Sequence, residues 1–258
     1  MIRAALLAAA VAAAPAAAQE ARVIEGPDWS AVIAPVSGFT GEMSMTMEVT
    51  APEDMAVTEV IRFEPWQILD ELFRDDLVFV MRAGPSDWDA AEDEASAPMD
   101  CAAQRPLSDT GTDEMRQFGA LVVVNDLRPG KVLASERCRA QATWAAMERG
   151  MAGLGIDTMD GMQTDLDPRL TLGAGGDALM DAVMEWDGGD GDGPLLLITH
   201  FSNIEAATRF RVYEGEMLIL DPKREGRVLG YLRLASARPD AVRYPADVVA
   251  RRAAVLGE

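Results

Sequence analysis

The residues in this sequence whose types and spacing suit chemistry are its single histidine and two of its arginines. His200 directly follows a short apolar run, and Arg82 follows another. Arg139 lies four residues after Ser135, which ends a third such run. A guanidinium fork matches the oxygens of phosphate or carboxylate, and a histidine can donate a hydrogen bond to a phosphate oxygen. These side chains are therefore candidates for binding an anion such as a phosphoryl group.

Each of these residues also has a simpler interpretation. A histidine after an apolar strand is often a satisfied core or turn residue. With 43 acidic residues in the chain, any one arginine can belong to an ion pair. The positions nevertheless favour a shared site, because ligands of open α/β sheets gather at the carboxyl ends of the strands. Arg82, Ser135 and His200 all fall at such predicted ends.

The elements that must position these residues follow from the pattern of apolar residues. Short apolar runs predict strands, and segments with a helical apolar face alternate with them. This alternation indicates an α/β fold with a largely parallel central sheet. Strands are predicted at residues 77–81, 131–135, 195–199, 216–220 and 228–234, and helices at 65–73, 109–122, 138–150, 177–186 and 203–207.

The predicted domain is framed by segments of different composition. Residues 1–18 combine a positively charged start, an apolar run too short to span a bilayer and a small-residue cleavage site, which is typical of a secretory signal peptide. An alanine-rich helix or an uncleaved anchor would also fit this run. Alternating residues at 42–49 predict one or two strands in an N-terminal extension, 19–64. A domain at 65–240 and a C-terminal tail at 241–258 complete the predicted organisation.

The charge of the chain limits its partners. Its 23 basic and 43 acidic residues give a formal net charge of −20, which argues against binding to nucleic acid or to an anionic lipid surface. After the predicted signal peptide, no segment of the sequence reaches membrane-spanning length. We therefore expect a periplasmic or secreted protein without a membrane span. Any anionic ligand must be held by a local cluster of arginines.

Several short motifs, in order along residues 65–235, resemble the histidine phosphatases of the phosphoglycerate-mutase-like superfamily. That family opens with a strand followed by Arg-His-Gly or Arg-His-Ala, and further short polar motifs follow on later elements. The matching residues here are Met81-Arg82-Ala83-Gly84, Asp100-Cys101, Gln104-Arg105, Leu107-Ser108, Gly111, Ser135, Cys138-Arg139, Thr143, Thr199-His200, Asn203-Ile204 and Gly215-Glu216. The resemblance implies a three-layer sandwich in which helices flank a mostly parallel central sheet.

The same resemblance implies a phosphate pocket formed by Arg82, Arg139 and His200. In the family a histidine attacks phosphorus and becomes a phosphohistidine, which water then resolves. Ala83 stands at the position of that nucleophile, and a methyl group has no lone pair with which to attack. The expected ligand is phosphate or a phosphorylated small molecule, bound without hydrolysis. No cofactor or metal is expected.

Other candidates for catalysis or metal binding are weaker. One branch of the family places its glutamate proton donor where this chain has Ala142, so the resemblance identifies no donor here; Glu148 and Glu205 are merely nearby candidates. Ser135 lacks the Gly-x-Ser-x-Gly turn of many serine hydrolases. The run of aspartates and glycines at 187–193 lacks the spacing of an EF-hand loop and is better explained as a solvated turn.

Cys101 and Cys138 are the two cysteines of the chain, so a single intramolecular pairing is possible. Two buried thiols are the alternative, but export makes a disulfide chemically reasonable. The resemblance places Cys101 in the loop after the first strand of the domain and Cys138 beside Arg139. A disulfide would therefore hold that loop against the helix that carries a pocket arginine.

Three functional hypotheses follow from these observations. In the first, the chain is a histidine-phosphatase-like pseudoenzyme that binds phosphate. In the second, Ala83 is an engineered replacement in an active periplasmic phosphomonoesterase, which is a hydrolase. In the third, the chain is a non-catalytic interaction module of the cell envelope with an empty pocket. Sugar phosphates, lipopolysaccharide phosphates and phosphoproteins all suit the first two hypotheses.

Overall fold

The computed structural model of the protein describes residues 22–25, 30–37, 43–50, 57, 59–65, 69–154, 163–189 and 193–240. The predicted signal peptide, 1–18, and the predicted tail, 241–258, lie outside these residues. Within the described ranges the chain forms a three-stranded sheet and a seven-stranded sheet. The larger sheet carries the residues that were predicted to form the site.

The smaller sheet consists of three antiparallel strands in chain order, β1 (Arg22–Glu25), β2 (Ser30–Ser37) and β3 (Met43–Thr50). β3 pairs with β2 along its whole length. Residues 43–49 of the alternating stretch therefore lie in a single strand. The sheet has three strands, more than the one or two predicted for the extension.

The larger sheet contains the five strands that the apolar runs predicted and two further strands. They are β4 (Ile61–Pro65), β5 (Val78–Arg82), β6 (Lys131–Ala134), β7 (Gln163–Leu166), β8 (Leu195–Thr199), β9 (Met217–Asp221) and β10 (Arg227–Leu234). Their order across the sheet is β4-β10-β9-β5-β8-β6-β7. Neighbours from β5 to β7 are parallel, whereas β9 is antiparallel to both β5 and β10, and β4 is antiparallel to β10. Thus β5, β6, β7, β8 and β10 point the same way, and the predicted mostly parallel sheet is confirmed.

Alternating side chains of the central strands pack against helices on the two faces of the sheet. The helices are α1 (Asp109–Val124), α2 (Cys138–Gly153), α3 (Gly176–Met184) and α4 (Phe201–Thr208). Phe79 and Met81 belong to the core cluster with α1 and α2, and Val78 and Val80 belong to the cluster with α3 and α4. Since successive residues of a strand point to opposite faces, this division confirms the three-layer α/β sandwich.

Local chemistry sets where α1 begins and how closely it approaches α2. The Ser108 hydroxyl accepts a hydrogen bond from the Gly111 amide at 2.9 Å and so caps the N-terminus of α1. A Cβ atom at Gly150 would lie 1.8 Å from the carbonyl oxygen of Arg116, so only glycine permits this close packing of the two helices. In the described part of the chain, no helix is long and apolar enough to cross a bilayer.

The predicted helix at 65–73 is only partly correct. Pro65 ends the edge strand β4, opposite Gly230 of β10, and a short 3-10 helix covers Leu69–Phe73. Proline is tolerated in an edge strand because such a strand has one side without ladder hydrogen bonds. β4 lies almost entirely within the predicted extension 19–64, yet it belongs to the larger sheet.

Several strand ends meet at one edge of the larger sheet, the edge formed by the carboxyl ends of its parallel strands. β5, β6 and β8 are parallel, and all three end at this edge. β9 runs in the opposite direction to β5, so it begins there, and β10 ends there. Residues that follow β5, β6, β8 and β10, and residues that precede β9, are consequently brought together.

Candidate functional site

A cavity of about 340 Å³ lies at this edge of the sheet. Its lining includes Arg82, Ala83, Arg139 and His200, the four residues that the sequence analysis placed at the candidate site. Arg82 is the last residue of β5, His200 follows β8, and Arg139 lies in the first turn of α2. The structure therefore brings together residues that are up to 118 positions apart, from Arg82 to His200.

Arg82 is held firmly at the cavity. Its side chain is only 9% exposed, and its Nη1 donates to the carbonyl oxygen of Val212 at 2.9 Å. Its Nη2 lies 2.9 Å from Asp240 Oδ2 and 3.5 Å from Glu214 Oε1. The guanidinium also lies over the ring of Phe201, 5.2 Å from its centroid. These contacts fix the direction of the guanidinium within the site.

Arg139 has a looser ionic partner than Arg82. Its Nη1 lies 3.5 Å from Glu92 Oε2, longer than the 2.7–2.9 Å typical of a charge-assisted hydrogen bond. Burial lowers the pKa of Arg139, while the charges of Glu92 and Glu214 act in the opposite direction. An arginine remains charged despite such a shift, because its pKa is above 12 in water. Arg139 therefore brings a partly desolvated positive charge to the cavity.

Thr143 connects the helix of Arg139 to the loop after β5. Its hydroxyl donates to the Arg139 carbonyl at 2.8 Å and accepts from the Gly84 amide at 2.8 Å. Thr143 is fully buried, so this bridge is shielded from water. It fixes the position of α2 relative to Ala83 and Arg82.

His200 occupies the N-cap position of α4 and is 4% exposed. Its Nε2 lies 2.8 Å from the hydroxyl oxygen of Ser135, whereas its buried Nδ1 has no hydrogen-bond partner among the described residues. Burial, together with the charges of Arg139, Arg137 and Arg82, lowers the pKa of His200 to about 3. At neutral pH the imidazole is therefore uncharged, with one buried nitrogen unsatisfied.

Ala83 is buried beside Arg82 and forms part of the cavity wall. Its amide donates to the Thr199 carbonyl at 3.0 Å, and its carbonyl accepts from the Gly215 amide at 3.2 Å. These bonds hold the backbone between β8 and the residues before β9. The side chain contributes a methyl group to the cavity and no atom able to attack phosphorus.

The site also contains residues that the sequence analysis did not identify. Glu214 accepts hydrogen bonds from the Ser86 hydroxyl at 2.7 Å, the Ser86 amide at 3.2 Å and the Trp88 indole at 3.1 Å. The Trp88 ring in turn stacks with Arg105, whose guanidinium carbon lies 4.3 Å from the ring centroid. Trp88 and Arg105 line the cavity, as do Glu92, Glu94 and Asp240.

The two glutamates considered as proton donors lie elsewhere. Glu148 is in the middle of α2 and does not line the cavity. Glu205 is also outside the cavity lining, and its Oε1 lies 2.8 Å from Nε of Arg211. The carboxylates that do line the cavity are those of Glu92, Glu94 and Asp240.

The predicted disulfide between Cys101 and Cys138 is confirmed, with 5.5 Å between the Cα atoms. Cys138 is the first residue of α2, directly before Arg139. The neighbouring Arg137 donates to the Ser96 hydroxyl at 3.0 Å and to the carbonyl of Glu94. The loop that carries Glu92 and Glu94 is therefore fixed to the start of α2 by a covalent bond and by hydrogen bonds.

The aspartate and glycine run at 187–193 lies partly outside the described residues, since 190–192 are not described. Asp187 accepts a hydrogen bond from the Gly189 amide at 2.9 Å, as in a turn. Among the residues that the structure describes, no group of three or more His, Cys, Asp or Glu side chains is arranged to hold a metal ion.

No protein-family model matches the chain, and no curated protein does so either. Solved structures of similar fold include the protein histidine phosphatase SixA complexed with tungstate, at 19% identity and a TM-score of 0.46, over 60% of this chain and 96% of that one. They also include a phosphoglycerate mutase from Plasmodium falciparum, at 16% identity and a TM-score of 0.39, over 66% of this chain and 98% of that one. These similarities concern the path of the chain and not its activity.

Proposed function

We propose that this protein binds a phosphoryl group or a similar tetrahedral oxyanion in the cavity, and that it does not hydrolyse phosphomonoesters as its sequence stands. One observation carries the proposal. Two arginines and the single histidine, supplied by three separate elements, line one cavity in a chain with a formal charge of −20. In such an acidic protein, a local cluster of arginines is where an anion can be held.

The state of the individual groups supports binding of an oxyanion. Arg139 is 3.5 Å from its carboxylate partner, so a phosphoryl oxygen at hydrogen-bond distance would make a stronger contact. The buried Nδ1 of His200 lacks a partner, and a buried polar atom without one is costly. A ligand oxygen would remove this cost by accepting a hydrogen bond from the imidazole.

The lack of hydrolysis follows from Ala83. Nucleophilic attack needs a lone pair about 3–3.5 Å from phosphorus and aligned with the leaving group. The methyl group of Ala83 offers none. Ser135 is fully buried, and its hydroxyl oxygen contacts both His200 and the Arg137 amide. It is therefore poorly placed to act as a substitute.

The direct test measures phosphate binding by calorimetry and hydrolysis of p-nitrophenyl phosphate with the same preparation. We expect binding without turnover. Arg139→Ala should weaken phosphate binding roughly 10- to 100-fold, the effect of losing a hydrogen bond to a charged group. Arg149→Ala is the matched control, because Arg149 is an exposed arginine of the same helix that does not line the cavity. Robust hydrolysis by the unmodified chain would refute the second part of the proposal.

Unchanged phosphate binding in both Arg82→Ala and Arg139→Ala would favour the envelope interaction module instead. In that case Arg82→Ala and Arg139→Ala would leave every measurable binding activity of the protein unchanged. The comparison is decisive only for folded variants, so thermal unfolding of each must first match that of the unmodified chain.

We also propose that the protein is exported to the periplasm or secreted. The order of charge, apolar run and small residues at 1–18 supports this location. The disulfide between Cys101 and Cys138 agrees with it, because such bonds persist in oxidising compartments. Expression in a bacterial host tests the proposal. The expected product is a periplasmic chain whose mass corresponds to cleavage near residue 18, and an uncleaved cytoplasmic product would contradict it.

A further inference from the structure

The segment after β10 crosses the edge of the sheet at which the candidate site lies. Its path is fixed by two amide hydrogen bonds, from Ala235 to the Val60 carbonyl at 2.8 Å and from Ser236 to the carboxylate of Glu59 at 3.2 Å. Asp240 follows within a few residues and lines the cavity. The topology therefore delivers a carboxylate from the chain itself to the anion site.

Asp240 makes a direct contact with the most buried arginine of the site. Its Oδ2 lies 2.9 Å from Nη2 of Arg82, and its side chain is 36% exposed, against 9% for Arg82. Among the described residues, the carboxylate of Asp240 bonds to Arg82 alone. The other terminal nitrogen of Arg82, Nη1, donates to the Val212 carbonyl on the protein side. Asp240 is thus an acidic group at the arginine position where a ligand oxygen would bind.

We propose that Asp240 is an internal competitor for the oxyanion site, so that a phosphoryl ligand binds by displacing its carboxylate from Arg82. This inference rests on the proposed function, since it assumes that Arg82 binds the ligand. The contact is autoinhibitory, because only the fraction of molecules with Asp240 displaced is ready to bind, and the apparent affinity falls by that fraction.

The charges around the cavity explain why displacement is required. The lining contains three arginines, Arg82, Arg105 and Arg139, and three carboxylates, those of Glu92, Glu94 and Asp240. Glu214, 3.5 Å from the Arg82 guanidinium, adds a fourth carboxylate beside this lining. With His200 neutral, an incoming phosphate dianion would meet no net attraction while all of these carboxylates stay in place. Departure of one carboxylate makes the site less negative and removes the repulsion between that carboxylate and the bound anion.

Asp240 is better suited to move than the other acidic residues at Arg82. Glu214, 3.5 Å from the same guanidinium, is only 10% exposed and accepts hydrogen bonds from Ser86 and Trp88. Asp240 is more exposed and lacks such additional donors among the described residues. Releasing it breaks one ion pair, whereas releasing Glu214 would also break the hydrogen bonds from Ser86 and Trp88.

The test compares the affinity for inorganic phosphate of four full-length proteins by calorimetry in a chloride buffer. They are the unmodified chain, Asp240→Asn, Glu94→Gln and Arg139→Ala. Glu94→Gln is the matched control, because it removes the same charge from an exposed cavity residue for which no ion pair is seen in the described part of the chain. We expect Asp240→Asn to bind phosphate about tenfold more tightly than the unmodified chain, which corresponds to ~1.4 kcal/mol. Glu94→Gln should bind phosphate less than about threefold more tightly, because an exposed charge contributes little.

The outcomes separate this inference from the function on which it rests. If phosphate binds, Arg139→Ala weakens it and Asp240→Asn behaves like Glu94→Gln, the competition is refuted and the proposed function stands. If neither the unmodified chain nor Asp240→Asn binds phosphate, both are refuted. If only Asp240→Asn binds detectably, both are supported, because the competitor then masks the site.

Hydrogen exchange provides a second measurement that does not depend on a variant. Displacement of Asp240 should loosen the preceding segment, so phosphate should speed exchange of the Ser236 and Ala237 amides by at least about threefold. Binding of phosphate with unchanged exchange at these two amides would show that Asp240 stays on Arg82, and it would overturn the displacement.

Discussion

Ser135 and His200 are joined across the ends of two neighbouring parallel strands, with 2.8 Å between the hydroxyl oxygen and Nε2. The Ser135 hydroxyl oxygen also accepts a hydrogen bond from the Arg137 amide at 3.1 Å. This arrangement fixes the plane of the imidazole and leaves Nδ1 as its unsatisfied nitrogen. The serine therefore positions the histidine of the candidate site, although it is itself poorly placed to act as a nucleophile.

Ser135→Ala should weaken both the fold and the proposed site. Removing one partner of a buried hydrogen bond costs about 1–3 kcal/mol, so the melting temperature should fall by several degrees. Loss of the fixed imidazole should also weaken phosphate binding about fivefold, equivalent to ~1 kcal/mol. Calorimetry and thermal unfolding measure the two effects. The control is Ser202→Ala, which alters an exposed serine that lines the same cavity. It should change the affinity for phosphate by less than about twofold and the melting temperature by less than about 1 °C.

A purely structural role for Ser135 would give a different result. The variant would then be less stable yet would bind phosphate as tightly as the unmodified chain at temperatures where both are folded. That combination would separate the serine from the site.

Protonation of His200 should make the stability of the protein depend on pH. Burial and three nearby arginines lower its pKa from 6.5 to about 3. Because the folded pKa lies below that of the unfolded chain, the unfolded chain binds more protons between these values. The stability that His200 contributes is therefore complete above pH 6.5 and is lost as the pH falls toward 3. Between pH 7.5 and pH 5 the loss should be about 2 kcal/mol, from 1.5 pH units at ~1.36 kcal/mol each.

Urea unfolding at these two pH values measures this dependence. His200→Gln, which does not titrate, should lose about 2 kcal/mol less than the unmodified chain over the same interval. Equal losses in the two proteins would mean that the imidazole is not held neutral. Saturating phosphate should reduce the difference, because an anion beside the ring favours its protonated form.

Much of the candidate site could be predicted from sequence because its main residues lie at the ends of short, largely apolar strands of the central sheet. Continuous apolar runs mark such strands clearly, and parallel strands of one sheet end at the same edge. Arg82, Ser135 and His200 follow this logic directly. Arg139 was found because it lies in the first turn of a helix that begins shortly after β6.

Glu214 and Asp240 were missed because their positions depend on antiparallel neighbours. β9 runs against β5, so Glu214, three positions before the start of β9, reaches the site. β10 returns to the same edge, so Asp240 reaches the site from beyond its end. Apolar periodicity identifies these strands but not their order or direction in the sheet. The polar segment from Lys223 to Gly226, between the last two predicted strands, was a usable sign of a hairpin. Such a hairpin places the start of β9 and the end of β10 side by side, and so brings Glu214 and Asp240 to the same end of the sheet.

The predicted helix at 65–73 was only partly correct for a related reason. Its apolar spacing fitted a helical face, but pairing with β10 at the sheet edge placed Pro65 in a strand. Local pattern is a weak guide where a tertiary partner offers the backbone its hydrogen bonds. The error concerns β4, the outermost strand on the side of the sheet opposite β7, and it does not alter the site.

Reduction of the disulfide should destabilise the protein and loosen one wall of the cavity. Cys101 and Cys138 are separated by 37 residues, and closing a loop of that length stabilises a fold by about 3–4 kcal/mol in the chain-entropy model. A reducing agent should therefore lower the melting temperature of the unmodified chain. It should leave a double variant, Cys101→Ser with Cys138→Ser, unchanged. If reductant has no effect on the unmodified chain, the bridge does not contribute to stability.

Ala83→His should show whether the cavity retains the rest of a hydrolytic site. The imidazole would enter a cavity that already contains Arg82, Arg139 and His200, the groups that would hold the phosphoryl oxygens. We expect the variant to hydrolyse p-nitrophenyl phosphate at least about 100-fold faster than the unmodified chain, because a positioned imidazole supplies the nucleophilic lone pair that Ala83 lacks. Ala83→His combined with Arg139→Ala is the control and should lose the gain. A folded Ala83→His protein that binds phosphate but hydrolyses nothing would indicate that the carboxylates of Glu92, Glu94 and Asp240 cannot supply the proton for the leaving group. The chain would then lack more than one catalytic group, because restoring the nucleophile alone would not restore turnover.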